Sequence, residues 1–232
     1  MDYTSLNGQA VATGVGVQNS LNPAGDRGLS DFDARNRFSM NFIYALPFKG
    51  NRFSEGWQVG CIIFDQSGNP VNIIANAASI AGFTGVSNLR PDQIGPVQIV
   101  NTPTANGIQY FANSVCDPVR APAGCTSSTT FAIPNSGTPT NYHFGNFGRN
   151  VIIGPTFNNV DFSLIKKTRI TERFSNELRL EAFDLFNHPN LGQPGRFAQV
   201  GSTAFGVINS TRFPVGDSGS ARQLQFATKF IF

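Results

Sequence analysis

The chain has 232 residues, enough for one large domain or for part of a bigger protein. Only 13% of them are charged, about half the usual share of a soluble globular domain. Phe alone contributes 22 residues, beside 24 Gly and 14 Pro. That mix argues against a helical protein and suits short strands, many turns and uncharged polar loops. The net charge of +3 comes with no basic block, so nucleic acid is not an expected partner. No apolar run approaches the length of a membrane-spanning helix, but alternating barrel strands leave no such run.

In chain order, a short strand is expected at Asp2 to Leu6. The first well-formed alternation runs from Arg37 to Leu46. Phe38, Met40, Phe42, Tyr44 and Leu46 share one face; Arg37, Ser39, Asn41, Ile43 and Ala45 share the other. PFKGNRFSEG (47–56) reads as a short turn. A second strand spans Trp57 to Phe64, with Trp57, Val59, Cys61 and Ile63 together. Cys61 reads there as a small hydrophobe. A long loop, 65–158, follows. It contains two apolar stretches, VNIIANAASIAGF (71–83) and PVQIV (96–100), expected as a small helix and a strand over the top of the sheet. It also contains CDPVRAPAGC (116–125), where Cys116 and Cys125 are candidates for a local disulfide in an oxidising compartment.

The last part of the chain, 159–232, holds the final strands. Asn159 to Lys167 alternates with Val160, Phe162 and Leu164 on one face. TRITER (168–173) is a second short turn. Ser175 to Phe186 sets Leu178, Leu180 and Ala182 against Glu177, Arg179 and Glu181. After a long connection, 187–221, a fifth strand runs from Arg222 to Phe232, with Leu224, Phe226, Thr228, Phe230 and Phe232 on one face. Short and long connections therefore alternate strictly. A soluble sandwich has no reason to place every short turn at one end, whereas a transmembrane barrel has short periplasmic turns and long extracellular loops. Counted back from Phe232, both short turns fall on the periplasmic side. Glu177, Arg179 and Glu181 would then face a hydrated lumen, and aromatics near strand ends (Phe38, Tyr44, Trp57, Phe230, Phe232) fit interfacial girdles.

Several phrases resemble one family. GLSDFDARNRFSMNFIYALPF (28–48), GWQVG (56–60) and QSGNPV (66–71) are similar to late barrel strands of TonB-dependent receptors. So are FGNFGRNVIIGPTFNNVDFSLIKKTRITERFSNELRLEAFDLFNHPNLGQP (144–194) and the ending SARQLQFATKFIF. The closest subgroup is the Oar-like receptors, which carry a carboxypeptidase-regulatory-like domain. The resemblance implies an outer-membrane barrel of about 22 strands around a plug. It also implies that Leu224, Phe226, Phe230 and Phe232 form the signal read by the barrel assembly machinery.

The expected fold is thus all-β: an antiparallel up-and-down transmembrane barrel segment of five to six strands from a larger barrel, with long extracellular loops. Residues 1–232 form a single C-terminal barrel part. Its expected partners are outer-membrane lipid, the assembly machinery, and the plug and upstream strands of the rest of the receptor, in the outer membrane of a Gram-negative cell. MDYTSLNGQAVATG has neither a basic n-region nor an apolar h-region, which leads to the expectation of a receptor fragment that does not transport alone.

No cofactor, metal site or enzyme activity is expected. His143 and His188 have no ligand partners at metal-binding spacing. Glu177 and Glu181, two pleats apart, stand about 13 Å from each other, too far for a glycosidase pair. NFGRN and LFNHPN read as turn-setting structural phrases, with Phe183 and Phe186 packing over the strand top. A second reading of the alternation is a soluble extracellular β-sandwich that binds or adheres. The two readings differ in one way. In a barrel, Phe38, Phe42, Val59, Ile63, Phe162, Leu178, Phe226 and Phe230 all point outward; in a sandwich they converge on one core.

Overall fold

The computed structural model describes residues 18, 19, 21–75, 89–134, 143–212 and 221–232. The short strand expected at 2–6 and most of the apolar stretch 71–83 lie outside these residues. The chain divides into two compact units.

One unit comprises Ala34–Ser67, Thr156–Leu191 and Thr211–Phe232. It is a five-stranded meander of β1 (Arg37–Ala45), β2 (Trp57–Gln66), β3 (Phe157–Arg169), β4 (Ser175–Phe183) and β5 (Gln223–Ile231). The strands lie side by side in chain order, and every neighbouring pair is antiparallel. The sheet is open: among the described residues, β1 pairs only with β2 and β5 only with β4.

Local chemistry closes the two short turns. Between β1 and β2, the Asn51 carboxamide oxygen accepts from the Phe53 and Ser54 amides, both at 2.9 Å, an Asx turn. Gly56 ends that turn with φ +77°, and a Cβ there would run into the Lys167 carbonyl. Between β3 and β4, the Thr171 hydroxyl accepts from the Phe174 amide at 3.1 Å.

The long strands run slightly differently from the sequence expectation. β2 continues to Gln66, and β3 extends two residues beyond 159–167 at each end. β4 stops at Phe183, not at 186. Asp184 and Asn187 adopt left-handed φ values of 48° and 53°, which break the extended backbone. The expectation that Phe183 and Phe186 pack over the strand top is therefore corrected: after this turn Phe186 is 72% exposed and Phe183 is exposed as well.

The second unit comprises Met1–Asp33, Gly68–Pro155 and Gly192–Ser210. It corrects the reading of 65–158 as a loop. Strands mostly two residues long tie together distant segments. Pro70–Val71 pairs with Ile152–Ile153, and Ile74–Ala75 runs parallel to Phe197–Ala198. Asp92–Gln93, Phe131–Ala132 and Val115–Cys116 make one small sheet; Ile99–Thr104, Gly107–Phe111 and Val207–Ile208 make another.

Aromatic packing holds this unit. Phe111, Phe131, Phe147 and Phe205 are fully buried. Phe131 meets Phe111, Phe147 and Phe205 edge-to-face at 6.4, 5.2 and 5.5 Å, the arrangement aromatic quadrupoles prefer. Each buried ring contributes roughly 2–3 kcal/mol of apolar transfer. Several polar groups buried with them are paired. Arg90 forms an ion pair with Asp26, and its Nε donates to the Phe147 carbonyl at 2.6 Å. The Asn150 amide donates to the Leu29 carbonyl and to Asp31, each at 2.6 Å. Gly145 sits so close to the Arg90 carbonyl that no side chain fits there.

Two predictions test this packing. Phe131→Ala removes the ring at the centre of the cluster and should destabilise the unit by about 3–5 kcal/mol. Urea titration of the detergent-folded chain, read by protease sensitivity of 68–155, measures it. The Tyr110 hydroxyl donates to the Ile153 carbonyl at 2.8 Å, and burial raises its pKa above the ordinary phenol value. The protonated phenol is thus the form that folding favours, so stability present below about pH 10 should fall as pH rises through the folded pKa. Tyr110→Phe should abolish that alkaline loss, at a cost of about 1 kcal/mol at neutral pH from the unpaired carbonyl.

Candidate functional site

The functional surface is the five-stranded sheet, whose register sorts its side chains onto two chemically different faces. Residues paired across an antiparallel sheet share a face. Phe42 pairs with Cys61, Cys61 with Phe162, and Phe162 with Ala182, which pairs with Leu224. The next row is Tyr44, Val59, Leu164, Leu180 and Phe226. Together with Phe38, Met40, Ile63, Val160, Leu178 and Phe230, these residues make one apolar face across all five strands.

All eight residues that distinguish barrel from sandwich fall on this face. Phe38, Phe42, Val59, Ile63, Phe162, Leu178, Phe226 and Phe230 are none of them buried. In a sandwich they would form a core. Leu224, Phe226, Phe230 and Phe232 are all more than half exposed along the edge strand. β1, β4 and β5 are nine residues long, which is the length a tilted strand needs to cross the hydrocarbon layer. Among the described residues, no helix is long and apolar enough to cross a membrane.

The short-turn end of this face carries Tyr44, Trp57 and Phe230, and Phe174 stacks on Phe230 at 5.8 Å. Lys166 lies on the same face, and no residue pattern singles it out. Its amine reaches back over the turn, donating to the Arg52 carbonyl at 2.8 Å and to the Glu55 carbonyl, and it lies 5.4 Å from the Trp57 ring centroid. A cation placed at the end of an apolar stripe is thereby solvated by backbone oxygens and an aromatic ring.

The opposite face is mixed and carries most of the sheet's charges. Glu177 pairs in register with Lys167 and Lys229, and Glu181 with Ser163 and Gln225. Arg179 donates to Glu177 at 2.5 Å, and Lys167 lies 3.6 Å from the same carboxylate. A hollow of about 470 Å³ lies at the middle of β1, β2 and β3, lined by Asn41, Ile43, Asp161, Ser163 and Glu181 together with Phe42, Cys61 and Phe162. The Asp161 carboxylate accepts from Asn159 and from the Asp184 amide, each at 3.0 Å. The three charges expected to face a lumen thus stand together opposite the apolar stripe.

The remaining sequence candidates lie in the other unit. Cys116 and Cys125 are joined in a disulfide around a turn at Pro122–Gly124. Cys61 is a free thiol on the apolar face. Arg149 is nearly buried 3.8 Å from Asp31, so NFGRN serves the fold. His143 contacts Asp92 at 2.6 Å. Among the described residues, no three His, Cys, Asp or Glu side chains converge as metal ligands would.

Residues 1–225 match the family model described as an outer membrane beta barrel domain. No curated protein and no solved structure matches the chain. The family match spans nearly the whole sequence and agrees with an all-β meander that is apolar on one face and polar on the other: the chain belongs to the outer membrane β-barrel domain family and is an outer-membrane protein.

Proposed function

We propose that this chain supplies barrel wall and extracellular loops to an outer-membrane TonB-dependent receptor of the Oar-like type. The observation that carries this reading is the open meander, with one face suited to lipid and the sheet's paired charges on the other. Five antiparallel strands leave β1 and β5 running in the same direction, so they cannot pair antiparallel with each other. Closure requires an odd number of further strands. The phrases 28–71 and 144–232 support the receptor family in particular.

On this reading the strands contact outer-membrane lipid outside and plug and upstream strands inside. The barrel assembly machinery recognises β5 through Leu224, Phe226, Phe230 and Phe232. The wall carries no catalytic role and needs no cofactor, and it does not move solute by itself.

Two experiments test the proposal. Phe42→Arg puts a charge on the lipid face and should cost about 2–4 kcal/mol of membrane stability, seen as loss of the heat-resistant folded band and of the chain from the outer-membrane fraction. Ile43→Arg, one residue along on the polar face, should be tolerated. Equal tolerance of both would remove the assignment of faces. The chain reconstituted alone in lipid vesicles should give no solute flux above empty vesicles. A chain-dependent conductance would show that the wall is a complete pore.

A further inference from the structure

Among the described residues, the long-connection end of the charge-bearing face carries two cations, Arg37 and Arg212, that form no ion pair. Arg37, Gln66 and Phe157 form one transverse row there, and Phe64 lies in the next row between Ser39 and Asn159. The Arg37 guanidinium carbon sits 4.7 Å from the Phe64 ring centroid. Phe64 meets Phe157 edge-to-face at 5.6 Å, and the Arg212 guanidinium lies 5.5 Å from the Phe157 centroid. Two aromatic rings are therefore flanked by two guanidinium groups.

Ring faces attract these cations but satisfy none of their in-plane N–H donors. Among the described residues, Arg37 and Arg212 are in none of the ion pairs, which take up Arg90, Arg149, Arg179, Lys167 and His143 instead. Nη1 of Arg212 is buried without any acceptor. Burial lowers the Arg212 pKa. A buried donor without a partner is costly, and a half-buried guanidinium without a counter-charge more so. The planar fork of Arg matches the two oxygens of a carboxylate or phosphate.

We propose that this end of the sheet binds a small carboxylate or phosphate anion at the two guanidinium groups, Arg37 and Arg212, that flank Phe64 and Phe157. The site is built by β1, β2, β3 and the segment at Arg212, and stands independently of the receptor assignment.

The full chain, folded in detergent micelles, is titrated calorimetrically with citrate and, separately, with inorganic phosphate, each against sodium chloride at the same ionic strength. Saturable binding beyond the chloride control is expected for at least one of them. Citrate alone would identify a carboxylate ligand, phosphate alone a phosphate ligand, and both the shared charge. Arg37→Gln should weaken binding by about tenfold or more, as expected for loss of a charge-assisted hydrogen bond. Arg37 is exposed, so this variant leaves the packing around Phe157 intact. Arg212→Gln should act likewise, and Arg212→Lys, which keeps the charge but loses the fork, should fall between. Absence of saturable binding by both anions, or wild-type affinity in Arg37→Gln, would overturn the proposal.

Discussion

Everything in the sheet depends on one constraint, the two-residue period of side chains coupled to antiparallel register. A slip of one residue at any of the four ladders would turn a strand's apolar residues to the polar face. Here the ladders agree: the row from Phe42 to Leu224 and the row from Tyr44 to Phe226 are apolar across every strand. The same registers bring Lys167, Glu177 and Lys229 together on the other side. Charge pairing and apolar continuity thus favour the same alignment. In hydrocarbon this alignment also satisfies the backbone, because each inner strand gives its N–H and C=O groups to two neighbours.

The second unit is held differently. Its strands are too short for a ladder to specify them. The Phe111, Phe131, Phe147 and Phe205 cluster provides the apolar term, and paired buried ions provide direction. Asp26 and Arg90, and Asp31 with Asn150 and Arg149, link the segment before β1 to the segment before β3. Removing one partner of such a pair leaves an uncompensated buried charge. The paired arrangement is consequently specific to this set of long-range contacts.

The difference between the units explains what could be read from the sequence. Strands of nine or more residues repeat the period often enough to be seen, so the alternation locates β1, β2, β3, β4 and β5 to within about three residues and sorts their faces. Two-residue strands repeat nothing. Neither Ile74–Ala75 beside Phe197–Ala198 nor Phe131–Ala132 beside Val115–Cys116 leaves a local pattern, and a region of such strands reads as loop. The end of β4 was misplaced because Asp184 and Asn187 are residues that tolerate left-handed φ without requiring it. The Lys166 contact was hidden because its partners are backbone carbonyls of the preceding hairpin, which no residue pattern reports.

Among the described residues, β1 and β5 are each paired on one side only, β5 with its outer side beside Phe226 and Phe230. In water such edges template association; within lipid they would leave polar groups without partners, which only closure removes. Pro, bulges and inward charges protect soluble edges, but β1 and β5 carry no Pro and pair in unbroken register along their full length. Two long edges, each with one charged residue (Arg37 on β1, Lys229 on β5) and with neither Pro nor bulge, therefore flank the apolar face and are suited to further strands.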